Sequence, residues 1–219
     1  METYATFLPI DRRLALAAGS DLPDRTNGAA LFADISGFTP LTAVLAQELG
    51  PHRGAEELTR HLNHVFSSLI AQVHLYMGNV IGFSGDAITC WFDENDSPEL
   101  DPATLALACA LQLQRVMAQL EAMRTPQGHV ISLALKVALA AGPVRRFLVG
   151  DPEKYVMETM AGSTLDQMAA AEKQAIQGEV VVTADFLERL PVRPVVSTWR
   201  RDDYGQRFAV ISSMTFGVS

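Results

Sequence analysis

Two short segments restrict this chain more than anything else in it. In the first, Leu31-Phe32-Ala33-Asp34-Ile35-Ser36-Gly37-Phe38-Thr39, an apolar run ends in an aspartate, then a glycine turn leads to a hydroxyl residue that can open a helix. The pattern is that of a buried strand delivering a carboxylate to the rim of a sheet. The second, Gly78 to Phe92, reads as a hairpin whose Ser84-Gly85-Asp86 tip holds Asp86 between two apolar strands.

The rest of the chain supplies the layers for such a sheet. Leu41, Val44, Leu45 and Leu49 recur at helical spacing, Gly50-Pro51 restarts the chain, and a longer helix runs through Leu58, Leu62, Val65, Leu69 and Val73 to Tyr76. An acidic loop from Asp93 to Pro102 follows the hairpin, and Leu105 to Met123 repeats the amphipathic pattern. Val130 to Ala141, a turn at Gly142-Pro143, and Val144 to Val149 read as a second hairpin. Tyr155 to Met160 is a short strand, Leu165 to Ile176 a helix, Glu179 to Thr183 a strand, and Pro191 to Ser213 supplies closing strands. This order fits an α+β sheet with helices on one face. Residues 1–25 read as a lead-in, 26–214 as the folded domain and 215–219 as a tail.

Composition narrows the possible partners. With 219 residues, 48% hydrophobic and 19% charged, the chain can bury a full core. A net charge of −8 opposes binding to nucleic acid through its phosphates. The N-terminal twenty residues hold Asp11-Arg12-Arg13 and only a short apolar patch, which argues against a signal sequence or a membrane span, so a cytoplasmic location is expected. Cys90 and Cys109 sit in apolar segments without paired spacing and read as buried thiols.

Asp34 and Asp86 are anionic oxygen donors suited to Mg²⁺, which takes few protein carboxylates and completes its shell with water and phosphates. Two carboxylates on separate sheet elements can share a pair of such ions. Read singly, Asp34 suits a helix cap and Asp86 a turn. Read together, each is set among apolar strand residues where a bare charge is costly without a cation or dense hydrogen bonding. Ser36, Gly37, Phe38 and Thr39 open a helix whose free N–H groups form a candidate nest for phosphate oxygens.

The residues Phe32-Ala-Asp-Ile-Ser-Gly-Phe-Thr39, Gly85-Asp86-Ala87, Lys136 to Gly142, Gly150-Asp151 and Gly162 to Asp166 together resemble the class III adenylate/guanylate cyclase catalytic domain. The likeness covers roughly residues 26–190. It is nearest in flavour to the first half of soluble, bicarbonate-responsive adenylyl cyclases and their bacterial relatives. It implies a ferredoxin-like βαββαβ sandwich with extra closing strands, and cyclisation of ATP, or less readily GTP, on two Mg²⁺ or Mn²⁺ ions. In that family the metals are held by two aspartates and the backbone carbonyl following the first, which here are Asp34, Asp86 and Ile35. Lys136 matches a lysine that contacts the terminal phosphates; read from the residues alone, it equally suits an edge-strand lysine reaching water.

The resemblance also marks what is missing. Family sites form between two domains, and the base-reading lysine and its companion fall at Gly82 and Thr159, while the ribose-orienting asparagine and transition-state arginine fall at Asp166 and Ala170. An ionised aspartate cannot donate to a ribose oxygen, and alanine brings no cation. The domain is therefore expected to be the metal-bearing half, paired with a second cyclase domain, a homodimer being its alternative in isolation. The other reading is a catalytically silent half that binds nucleotide and metal. The basic positions of the family's bicarbonate pocket match Gly82 and Ala169, so direct bicarbonate activation is not expected.

Three further constellations carry blander readings. Glu57, His61 and His64 have the spacing of a metal site but suit an exposed polar helix face. Gly82-Phe83-Ser84-Gly85 looks like a nucleophile turn, yet Asp86 stands where a glycine is needed and no partnered histidine is evident. Arg145-Arg146 and Arg200-Arg201 read as solvated pairs.

Overall fold

The computed structural model describes residues 8–96, 99–120, 122–151 and 155–215; the remainder of the expected lead-in and tail, residues 1–7 and 216–219, lies outside them. The organising element is β1, Arg25–Ser36, flanked antiparallel by β3, Ala87–Asp93, on one side and by β6, Ala134–Asp151, on the other. Apolar residues and glycine run unbroken from Gly28 to Ala33 because both faces of β1 are covered there. Ala29, Leu31, Ala33 and Ile35 point into the main core with α2 (Phe38–Leu49), α3 (Pro51–Leu75), α4 (Pro102–Leu120) and α6 (Ala184–Arg189). Ala30 and Phe32 point the other way, with Trp91, Ala140 and Met168.

That second face corrects one expectation. Helices do not share a single face: α5, Ser163–Gln174, packs on the opposite side, burying Met168 and Ala171 against the sheet. The main sheet runs β2 (Asn79–Ser84), β3, β1, β6, β8 (Val180–Thr183), β10 (Arg207–Ser213), β9 (Val195–Arg201), with β7 (Tyr155–Ala161) pairing the far end of β6. A separate two-stranded ribbon, β4 (Ala122–Arg124) with β5 (Val130–Ser132), follows α4, which ends at Leu120, short of Met123.

The predicted turn at Gly142-Pro143 is absent. Strand β6 runs straight through it, with Gly142 opposite Gly28 and Pro143 opposite Asn27 in the ladder to β1. Gly142 is needed for close packing: a Cβ there would lie 2.7 Å from Thr164 Oγ1, whose hydroxyl donates to the Pro143 carbonyl at 2.8 Å. The turn signal was a close-approach signal.

Residues before β1 are also more than a lead-in. Helix α1, Ile10–Ala17, carries Arg12, which is 2% exposed and bonded through Nε to Glu158 Oε2 at 2.8 Å. The other oxygen of Glu158 takes Arg146 Nε at 2.5 Å, and Arg146 Nη1 donates to Asp11 at 2.5 Å. Arg146 is 1% exposed and thus no solvated hairpin arginine, which corrects the reading of Arg145-Arg146. Asp93 joins this buried network, accepting from Trp91 Nε1 and Thr26 Oγ1, each at 2.9 Å.

Asp96 sits beside the network and bonds Asn79. Burial, then repulsion from Asp11 and Asp93, raises its pKa from 3.8 to about 6. A carboxyl whose folded value exceeds its unfolded one contributes stability below the unfolded value and loses it as pH rises through the folded one. Asp96→Asn is therefore expected to gain over the wild type between about pH 4 and 6, reaching about 1 kcal/mol at pH 7 after allowance for solvent screening. Urea unfolding at both ends of that window checks the slope.

Candidate functional site

Strand register brings the backbones of the two aspartates together. In the β1–β3 ladder Asp34 stands opposite Ala87, the neighbour of Asp86, and the backbone N–H of Ile35 donates to the Asp86 carbonyl at 3.1 Å. The tight tip between β2 and β3, with Gly85 at φ +62°, delivers Asp86 to the rim at which β1 ends. Both aspartates are partly exposed, so each can reach a ligand from solvent. Ile35 is 1% exposed with its side chain in the core, so only its backbone can serve the site.

Beyond Ile35 the chain turns directly into α2. Gly37 makes this possible with φ +105°, and a Cβ on it would lie 2.5 Å from the Ser132 carbonyl. No side chain caps α2, so its first backbone N–H groups have no side-chain acceptor, while Ser36 spends its hydroxyl on the Ala134 carbonyl at 3.2 Å. Phe38 is buried in the core and Thr39 is exposed. Of the four predicted phosphate-nest residues, Gly37, Phe38 and Thr39 therefore offer the helix start, and Ser36 braces it.

Lys136 stands directly opposite Asp34 in the β1–β6 ladder. Its ammonium lies 3.0 Å from Asp34 Oδ2 and is also bonded to Glu172 on α5. The Glu172 bond, more than the Asp34 bond, holds the Lys136 pKa above its usual value against the opposing effect of burial. Glu172 was not anticipated from the sequence. The available signal was its place one turn after Met168, a charge beside the buried stripe of α5.

Of the positions that the resemblance assigns to base, ribose and transition state, two share a cleft. Gly82 and Thr159 line one cleft of about 690 Å³ between β2 and β7, walled by Leu165 and by Pro9, Ile10 and Arg13 of the α1 segment. Nothing lies within 4 Å of where a Cβ on Gly82 would be, so this wall is open. Asp166 is exposed on α5, and Ala170 is half-buried one turn later. Neither Asp34 nor Asp86 lines this cleft.

No protein-family model matches the chain. Among solved structures it superposes on the guanylyl cyclase Cya2 with a TM-score of 0.72 and 21% identity, covering 90% of this chain and 96% of that one. The adenylyl cyclase CyaB from P. aeruginosa gives a TM-score of 0.67 at 19% identity, over 86% of this chain and 95% of that one. The fold is that of class III nucleotidyl cyclase catalytic domains. Among curated proteins, adenylate cyclase type 10 of Homo sapiens is 26% identical over 160 residues, 73% of this chain, and that of Rattus norvegicus is 26% identical over 157 residues. The match spans only about a tenth of these relatives: 10% of the human protein and 9% of the rat one.

The donor set on this cyclase fold suits hard divalent cations: two carboxylates, one strand-end backbone and a polar, partly open rim. Among the described residues there is no cluster of three or more His, Cys, Asp or Glu placed to hold a metal. The Glu57-His61-His64 spacing does not make a metal site either. His61 is 8% exposed rather than on an open face, and it pairs with Glu57 at 3.2 Å. Among the described residues no helix is long and apolar enough to cross a membrane.

Proposed function

We propose that residues 26–214 form a nucleotidyl cyclase domain supplying the metal-holding half of a site that converts ATP, or GTP, to the cyclic nucleotide and pyrophosphate. The observation that carries this reading is the β1–β3 register that sets Asp34 beside the Asp86 tip on a cyclase fold. Two Mg²⁺ or Mn²⁺ ions bound there would activate the ribose 3′-hydroxyl and neutralise the leaving pyrophosphate. Asp34, Asp86 and the Ile35 backbone are the residues to hold them.

The chain's own groups then divide the remaining work. The start of α2 offers backbone N–H groups to phosphate oxygens, and Lys136 brings a cation to the same rim. Gly82 and Thr159 can read a base only weakly, Asp166 cannot donate to the ribose, and Ala170 leaves charge on the α-phosphate unopposed. A second cyclase domain is inferred to provide those groups. That neither Asp34 nor Asp86 lines the Gly82–Thr159 cleft supports a site shared between domains rather than one closed within the chain.

A silent, nucleotide-binding half is the second reading, favoured by Asp166 and Ala170. Assay of the purified chain alone with ATP or GTP and Mn²⁺ is expected to give at least about a hundredfold less product than the chain mixed with a domain carrying the missing lysine, asparagine and arginine. Vigorous turnover by the chain alone would defeat the half-site argument. Nucleotide binding without turnover in the mixture would support the silent reading.

A further inference from the structure

We propose that Lys136 is a built-in counter-cation for Asp34, and that Glu172 is the second berth to which its ammonium withdraws when a divalent cation takes Asp34 and Asp86. This rests on the two-metal reading of those aspartates. The geometry comes from three separate elements. Strand β6 sets Lys136 opposite Asp34, strand β1 presents Asp34 Oδ2 at 3.0 Å, and α5 presents Glu172 from above the sheet.

An ammonium and a divalent cation cannot both sit at hydrogen-bond distance from one carboxylate oxygen without strong repulsion. The ammonium must leave, and a flexible four-carbon stem lets it do so without moving the strand. Glu172 makes the departure cheap. It already shares the ammonium, its side chain is about as exposed as that of Lys136 (26% against 25%), and withdrawal breaks one ion pair while keeping the other. Without Glu172 the lysine would have Asp34 alone and would hold it more firmly. Lys136 thereby suppresses metal binding to the empty domain, and Glu172 sets how strongly.

The test is Mn²⁺ alone, with no nucleotide, titrated into the purified full chain and followed by electron paramagnetic resonance of the free ion. Lys136→Met is expected to tighten Mn²⁺ binding about tenfold or more, and Glu172→Gln to weaken it about threefold. The double variant should match Lys136→Met, because Glu172 acts only through the lysine. Equal affinity of Lys136→Met and wild type, or no detectable binding in either, overturns the proposal. Loss of the Lys136→Met gain in the double variant also overturns it, since Glu172 would then be a ligand itself.

Asp34→Asn in the Lys136→Met background separates the two ideas. Unchanged Mn²⁺ binding there removes Asp34 from the metal site and sinks the underlying reading. Binding lost on Asp34→Asn, with no gain from Lys136→Met, sinks only the present inference. Glu172→Gln leaves the lysine and the core in place, so unchanged Mn²⁺ affinity in that variant overturns the proposal even if Lys136→Met does not fold.

Discussion

Replacing Asp34 or Asp86 by asparagine is expected to lower cyclic nucleotide formation at least about a hundredfold when a competent partner domain is present. Each change removes a charge from the same rim, where β1 ends and the β2–β3 tip turns. Neither should unfold the protein. Asp86 is at a hairpin tip and partly exposed, and after Asp34→Asn the Lys136 ammonium keeps its bond to Glu172. Product assay with circular dichroism and thermal melting beside it checks both halves of the expectation. Retained turnover in a folded variant would take that aspartate out of the reaction.

The second large effect concerns stability. Glu158 is buried with both oxygens engaged, one by Arg12 and one by Arg146, two guanidinium groups that are themselves 2% and 1% exposed. Glu158→Gln keeps the shape but leaves two buried cations facing a neutral amide. Removing one partner of a buried ion pair costs about 3–5 kcal/mol, so the variant is expected to lose that much in urea unfolding. Arg12 Nη2 and Arg146 Nη2 already lack a hydrogen-bond partner, so the network has no spare acceptor to take over. A loss under about 1 kcal/mol would mean that Asp11 and Asp21 carry the arginines unaided.

How much of this was legible before the structure follows from how each feature is encoded. Strand β1, helices α2 and α3 and the β2–β3 hairpin were readable because each has its own periodicity and its own glycine or proline punctuation. Asp34 and Asp86 were readable as a pair because one follows an apolar run and the other sits in a tip between two apolar strands. The buried charge network was not. Its members, Asp11, Arg12, Asp93, Arg146 and Glu158, are scattered along the chain, and no local pattern marks an arginine that will find its carboxylate across the sheet. Helix α5 was found, but its face was not, since an alanine-rich helix lacks the apolar contrast that tells one side from another. The pairing of Lys136 with Asp34 is a matter of register alone, and register between β1 and β6 is invisible while β6 is taken to end at Gly142.

The continuity of β6 has a mechanical consequence. From Lys136 beside Asp34 to the exposed Phe147, Leu148 and Val149, it is one hydrogen-bonded rail about 40 Å long, laced to β1 along the first part and to β7 along the second. The ladder to β1 reaches Arg145 and the ladder to β7 begins at that same residue, so no unpaired gap divides the rail. The outer apolar tip and the carboxylate rim are therefore joined by one uninterrupted strand.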